Sequence, residues 1–200
     1  MSLPSRDGGV TTEEVGYFEV DSAALAGWIV SAFGAPWTSR AGGLASLAEA
    51  VALLKPGGER TRLLCVPVGH WTALLSNGPL GTDVGVLPSH AARALGCRAL
   101  RVVNVDDTAM YPARLLEVYG PDGTPPLADE RSIVAANDGG RWVFETSGEA
   151  YPFEDQSAYT RRRKASRFTS DMVFDYLRGL GVPIDEDPDW AAAVVVERTS

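Results

Sequence analysis

Few residues in this chain could carry out chemistry. The only histidines are His70 and His90. A zinc site or an acid–base pair draws on several His, Cys, Asp or Glu side chains at tight spacing, and neither histidine has such company. His70 falls at a turn between two strand-like runs and His90 at the start of a short polar helix. An exposed or capping imidazole is expected at both. Asp106-Asp107 follows an apolar run. Two carboxylates at a strand end could hold Mg²⁺ or serve as acid and base. With no third carboxylate at a telling spacing, a solvated turn in which Asp bonds nearby backbone is the favoured reading. The loop Asn77-Gly78-Pro79-Leu80-Gly81-Thr82-Asp83 could cradle an anion with its amides. Stitching of the loop by the Asn77 and Asp83 side chains is the expected alternative. No GxSxG elbow, phosphate loop or strand-led GxGxxG occurs, which disfavours serine hydrolysis and nucleotide binding. No catalytic, cofactor-binding or metal-ligating residue is assigned, and no cofactor is expected.

The densest stretch is Arg141–Gly181, RWVFETSGEAYPFEDQSAYTRRRKASRFTSDMVFDYLRGLG. It joins an aromatic strand, an acidic loop, four consecutive cations and a capped amphipathic helix, and it reads as an element that organises a surface. Arg161-Arg162-Arg163-Lys164 could bind phosphate or RNA, but no aromatic stacking platforms are interleaved with it. On a helix, four successive residues would spread around the axis rather than form a stripe. Pairing with Glu149, Glu154 and Asp155 is expected instead. The candidate contact residues are Trp71, Asn77, Asp83, Asp106, Asp107, Glu154 and Asp155. Trp71 is included because aromatic side chains anchor interfaces.

The elements that must position these residues follow from composition and period. The chain has 200 residues, 45% hydrophobic and 22% charged, as in ordinary globular proteins. One domain is expected, with residues 1–13 a flexible tail. No run of 18 apolar residues and no apolar N-terminal signal region occurs, so neither a membrane span nor secretion is expected. Cys65 and Cys97 sit in apolar runs without a CxxC pair, which points to buried free thiols in a reducing cytoplasm. The net charge is −8. Residues 1–100 carry 7 basic and 8 acidic side chains, and residues 101–200 carry 11 and 18. Such a chain repels nucleic acid and anionic lipid and would suit a basic partner, with simple solubility the favoured reading of the charge.

Glu14–Val20 reads as a strand, followed by a helix capped by Asp21 and running through Phe33. Leu44, Leu47, Ala48, Val51 and Leu54 mark a second helix, and the absence of a β-rich segment between the two predicts a helical hairpin or two-helix layer. Thr61–Val68 is nearly all apolar and suits a strand covered on both faces. Trp71–Ser76 completes a hairpin. Pro88–Leu95 is a short helix with Ser89 as a possible cap and Gly96 beyond its end. Strands at 97–105, 113–119, 131–136 and 141–146 make an antiparallel meander, the last two joined by a tight Asn-Asp-Gly-Gly turn. Asp155 is expected to cap a helix through Ala165, and Thr169 another that ends at Gly181. Ala191–Glu197 is a last strand. Strands in runs and helices in runs argue α+β: a mostly antiparallel meander sheet packed by N-terminal and C-terminal helices.

The segments GHWTALLSNGPLGTDVGVLPSHAARALGCRALRVV (69–103) and Arg141–Gly181 resemble small bacterial proteins, some of which look like immunity partners of polymorphic toxins. The resemblance covers about a third of the chain and implies a bacterial cytosolic protein that works by binding. The expected function is therefore a non-catalytic binding protein of immunity type with a protein partner. The alternative is an enzyme or small-molecule binder using the 70–83 loop and Asp106–Asp107.

Overall fold

The computed structural model describes residues 12–56, 60–78 and 84–198. Nine strands form one sheet in which every neighbouring pair is antiparallel: β1 (Glu14–Phe18), β2 (Trp37–Ala41), β3 (Arg62–Val68), β4 (Trp71–Ser76), β5 (Ala99–Asn104), β6 (Ala113–Thr124), β7 (Asp129–Asn137), β8 (Trp142–Gly148) and β9 (Val194–Arg198). The spatial order is β2-β9-β3-β4-β1-β5-β6-β7-β8. Strands β5 to β8 are the expected meander. The fold is α+β.

Among the described residues four helices cover the sheet: α1 (Ser22–Phe33), α2 (Leu47–Leu53), α3 (Leu87–Leu95) and α4 (Ser170–Gly179). The continuous apolar run of β3 is explained by burial on both faces. Leu64, Val66 and Val68 join one core, which also holds α2 residues Leu47 and Ala50 and α4 residues Val173, Tyr176 and Leu177. Leu63 and Cys65 join a second core with Leu25 and Ile29 of α1 and Ala91 and Ala92 of α3. Local signals end the helices as read. The Asp21 carboxylate accepts from Ala24 N at 2.8 Å, Thr169 Oγ1 accepts from Met172 N, and Gly181 takes the left-handed conformation beyond α4 at φ +83°.

Four expectations are corrected. No helical hairpin forms, because Trp37–Ala41 is a strand that pairs with β9. Its last four residues are exposed, so it has no apolar alternation to announce it and exists through its long-range partner. With a strand between them, α1 and α2 end on opposite faces of the sheet. The segment after Asp155 is not one helix but two short 3-10 turns, Ala158–Thr160 and Lys164–Ser166. The four cations supply no apolar stripe to bury, and side chains clamp the backbone instead: Arg161 Nη1 donates to Ser166 O and Arg167 Nε to Arg161 O. Ser89 lies inside α3, where its hydroxyl donates to Val86 O. The strands expected to end at 119 and to begin at 131 are longer, β6 running to Thr124 and β7 starting at Asp129, so the segment between them is mostly hairpin. Residues 1–11 of the expected tail lie outside the described residues. Thr12 is fully buried, and Glu13 O accepts from Asn104 N at 2.8 Å.

Cys65 and Cys97 are free and buried. Burial pushes the Cys65 thiol up to about 12, so it stays protonated and inert at neutral pH. Among the described residues no three His, Cys, Asp or Glu side chains are grouped as metal ligands, and no helix is long and apolar enough to cross a membrane. Thermal melts with chelator or with reductant are therefore expected to overlay the untreated melt. A fall of several degrees with either agent would contradict a fold held by its two cores alone.

Candidate functional site

The structure disperses the candidate contact residues. Trp71 is 1% exposed and belongs to the first core, so it cannot meet a partner without unfolding. Asn77 is also buried, and it stitches. Its Oδ1 accepts from Arg62 N at 2.6 Å and its Nδ2 donates to Arg60 O at 2.7 Å, which closes the neck of the loop onto the start of β3. Asp83 lies outside the described residues. Asp106 accepts from the amide and hydroxyl of Thr108, the expected self-bonded turn. Burial, and secondarily the charge of Asp106, raises the Glu13 carboxyl. Asp107 accepts from Arg114 Nη2 at 2.6 Å. Strand direction fixes what these groups can share. Asn77, Glu13 and Asp106 flank the sheet end where Glu14 pairs with Val103. His70 sits at the opposite end, beside the pairing of Phe18 with Thr72, with Glu19 at 3.9 Å. No geometry joins His70 to Asp106–Asp107.

Glu154 and Asp155 part ways. Glu154 was expected to pair with the cationic run but is buried, its side chain 1% exposed, against an Arg131 side chain that is 4% exposed. Arg131 Nε donates to Glu154 Oε1 at 2.9 Å and Nη2 to Oε2 at 2.7 Å. Tyr159 Oη adds a bond to Oε2 at 2.7 Å, and Tyr151 N one to Oε1 at 3.0 Å. Burial alone would raise the Glu154 carboxyl, but the donors from Arg131 and Tyr159 outweigh it and hold it below its usual range. The remaining Arg131 donor reaches Ser147 O and Gly148 O. Tyr159 also bonds Tyr176 of α4, whose hydroxyl accepts from Asp155 N. The network therefore ties β7, β8, the 151–159 segment and α4 together. Asp155, by contrast, is at the surface with Arg161 at 3.3 Å.

What the fold does gather is a set of acids the sequence scatters. The turns at the Phe18–Thr72–Ala99 end of the sheet are residues 19–21, 69–70, 96–98, 120–130 and 148–152, joined by 183–189 through the bond from Asp189 N to Pro67 O. These segments carry ten carboxylates, those of Glu19, Asp21, Asp122, Asp129, Glu130, Glu149, Asp185, Glu186, Asp187 and Asp189, and a single arginine, Arg98. Within this end an open cleft of about 540 Å³ is lined by Asp122, Asp129, Glu130, Glu149 and Tyr151. Close backbone approaches shape it: a Cβ at Gly123 would strike Ala128 O, and one at Gly148 would strike Glu130 O. The Tyr151 ring stacks on Phe153 at 5.2 Å and its hydroxyl donates to Glu130 Oε2 at 2.9 Å. Burial first, then that bond, pushes the Tyr151 phenol up to about 12. A neighbouring cleft of about 510 Å³ shares Asp122 and Glu130 and adds Glu19 and Arg98. The chemistry on offer is multiple carboxylate acceptors beside a fixed aromatic, which suits ammonium and guanidinium groups.

None of Asp122, Asp129, Glu130 or Tyr151 was singled out from sequence. The only available signal was the acidic excess of the second half, which says how much charge there is and not where it converges. Compared with known proteins, the chain matches no family model, no curated protein and no solved structure.

Proposed function

We propose that this is a non-catalytic binding protein of the bacterial cytoplasm, immunity-like in its mode of action, whose acidic sheet end engages a basic protein partner. One observation carries the reading: ten carboxylates on the turns of a single sheet end, against Arg98 within those turns and Arg93 and Arg178, which reach them at Pro126 O and Asp185. A surface of one sign focuses its field and raises the encounter rate with an oppositely charged partner. The cleft beside Tyr151 gives a partner's Lys or Arg a concave acceptor site. The acids that form it are held by tight hairpins, so little ordering cost falls on binding.

The test is capture of a partner from source-cell lysate, followed by surface-binding kinetics across salt. Raising ionic strength from low to physiological shortens the screening length from about 30 Å to about 8 Å. The association rate is expected to fall about tenfold with a smaller change in dissociation. Glu130→Lys with Glu149→Lys is expected to slow association in the same way. An association rate insensitive to salt and to both reversals would refute the assignment.

A further inference from the structure

The sheet end opposite the acidic cleft holds a cation that the fold leaves incompletely answered. Arg114 lies on β6 beside Asn104 of β5, and its side chain is 3% exposed. A buried donor without an acceptor carries its full desolvation penalty, so buried guanidinium groups are ordinarily met at each nitrogen. Here Nη2 donates to Asp107 Oδ1 at 2.6 Å and Nε reaches Ser170 Oγ at 3.4 Å. Nη1 is buried with no hydrogen-bond partner among the described residues. The Trp142 ring lies 5.4 Å from the guanidinium carbon. A ring face offsets charge but supplies no oxygen to accept from Nη1.

An anion would answer it, and three neighbouring features say which. Ser170 is the first residue of α4, a helix of ten residues. Thr169 Oγ1 takes Met172 N and Thr169 O takes Val173 N, which leaves Ser170 N and Asp171 N as donors at the positive end of the helix dipole. Ser170 Oγ also donates to Asn104 Oδ1 at 2.8 Å, so the helix end is fixed beside Arg114. The second feature is Arg167, whose guanidinium lies 5.5 Å over the Phe144 ring. Phe144 stands two residues along β8 from Trp142, on the same face, so two guanidinium groups cover neighbouring rings. Among the described residues only the Nε of Arg167 has a hydrogen-bond partner, Arg161 O at 2.7 Å. The third feature is Asp107, 71% exposed at its side chain, which forms the outer side of the site. It places one oxygen on one nitrogen of Arg114. Two guanidinium groups and a helix N-terminus offer more donors than the two oxygens of a carboxylate can meet. A phosphate brings three acceptor oxygens and a second charge. The exposed Arg162, Arg163 and Lys164 just before α4 add attraction at longer range.

We propose that Arg114 and the N-terminus of α4 form a binding site for a phosphate dianion, free or carried as a monoester, with Asp107 the chain's own carboxylate closing it. The site is remote from the Tyr151 cleft, so its failure and the failure of partner binding there are separate results. Calorimetric titration of the full chain at fixed ionic strength uses inorganic phosphate, O-phosphoserine and acetate as probes. Both phosphates are expected to bind. Tighter phosphoserine marks an ester as the ligand, and tighter inorganic phosphate marks the free ion. Acetate binding as tightly as either would overturn the choice of phosphate. Asp107→Asn is expected to tighten phosphate about fivefold, the worth of one exposed ion pair. Arg167→Met should weaken it about tenfold, as for one charged hydrogen bond, and Arg114→Met should abolish it. Arg114→Met removes a buried group, so circular dichroism checks its folding, and the Asp107 and Arg167 variants carry the test if it does not fold. In amide spectra phosphate should shift Ser170 and Asp171 and leave the 120–130 turn unmoved. Binding that the variants leave unchanged would belong to diffuse charge and overturn the site. So would the absence of phosphate binding in both the wild type and Asp107→Asn, which would leave Nη1 to a buried water.

Discussion

Glu154→Leu is expected to destabilise the protein by about 3–5 kcal/mol, because it strands a guanidinium in the interior. Arg131 is 4% exposed at its side chain and has Glu154 as its only ion-pair partner among the described residues. Removing the carboxylate leaves two of its bonds and that of Tyr151 N without an acceptor, while Tyr159 keeps only Tyr176. In a chain of this size about 3–5 kcal/mol corresponds to a fall in Tm of about 10 °C. Replacing both partners, Arg131→Met with Glu154→Leu, should recover a large part of the loss, because the desolvation cost of the charge goes with it. Urea midpoints for the two single variants and the double variant decide the matter. Equal losses in single and double variants would show that packing, and not the stranded charge, dominates.

The same pair gives the protein its acid sensitivity. The folded-state carboxyl of Glu154 lies below its usual range, so the folded state binds its proton less readily than the unfolded chain. The stability this supplies is fully present above the ordinary carboxylate pKa and is lost as pH falls through the depressed value. Asp155, Asp185 and Glu197 shift in the same direction through their arginine or hydroxyl partners. Denaturation midpoints should therefore fall on acidification below about pH 5. Glu154→Gln, less stable at neutral pH, should show a shallower fall.

Why Glu154 looked like a surface residue from sequence is instructive. Carboxylates are almost never fully buried unless paired, and nothing local marks Arg131, 23 positions away, as the partner. The features that were legible are those with short-range causes. Asp21, Thr169 and Gly181 punctuate helices through bonds within four residues. The β5–β8 meander pairs neighbours in sequence, and the β3 run states its two-sided burial directly. The features missed are all non-local. β2 owes its existence to β9, 157 residues away at the Arg40–Glu197 contact, and carries no apolar period. The insertion of β9 between β2 and β3 leaves no trace in either strand. The acidic sheet end is assembled from six separate segments, each an ordinary solvated turn by itself, and only the strand directions show that they face one way.

Leu177→Ala tests the element that closes the first core. Leu177 is 0% exposed on α4, within the stripe Val173, Tyr176, Leu177 and Leu180 that the 3.6-residue period predicts and that the structure buries. The same core holds Phe168, whose ring lies 5.6 Å from that of Tyr176, and Phe153 packs against it with its ring 5.9 Å from that of Tyr176. A close-packed core relaxes only partly into the space a leucine vacates, so the cavity term adds to the lost transfer energy. The expected cost is about 3 kcal/mol or more. Because α4 also carries Tyr176, which bonds Tyr159 and Asp155 N, loosening the helix should weaken the Arg131–Glu154 network as well. The losses in Leu177→Ala and Glu154→Leu should then sum to more than the double variant shows, as for residues that share a structural unit. Strict additivity would mean that the helix and the network are independent. An unchanged midpoint for Leu177→Ala alone would mean that this face of α4 is not packed on the sheet at all.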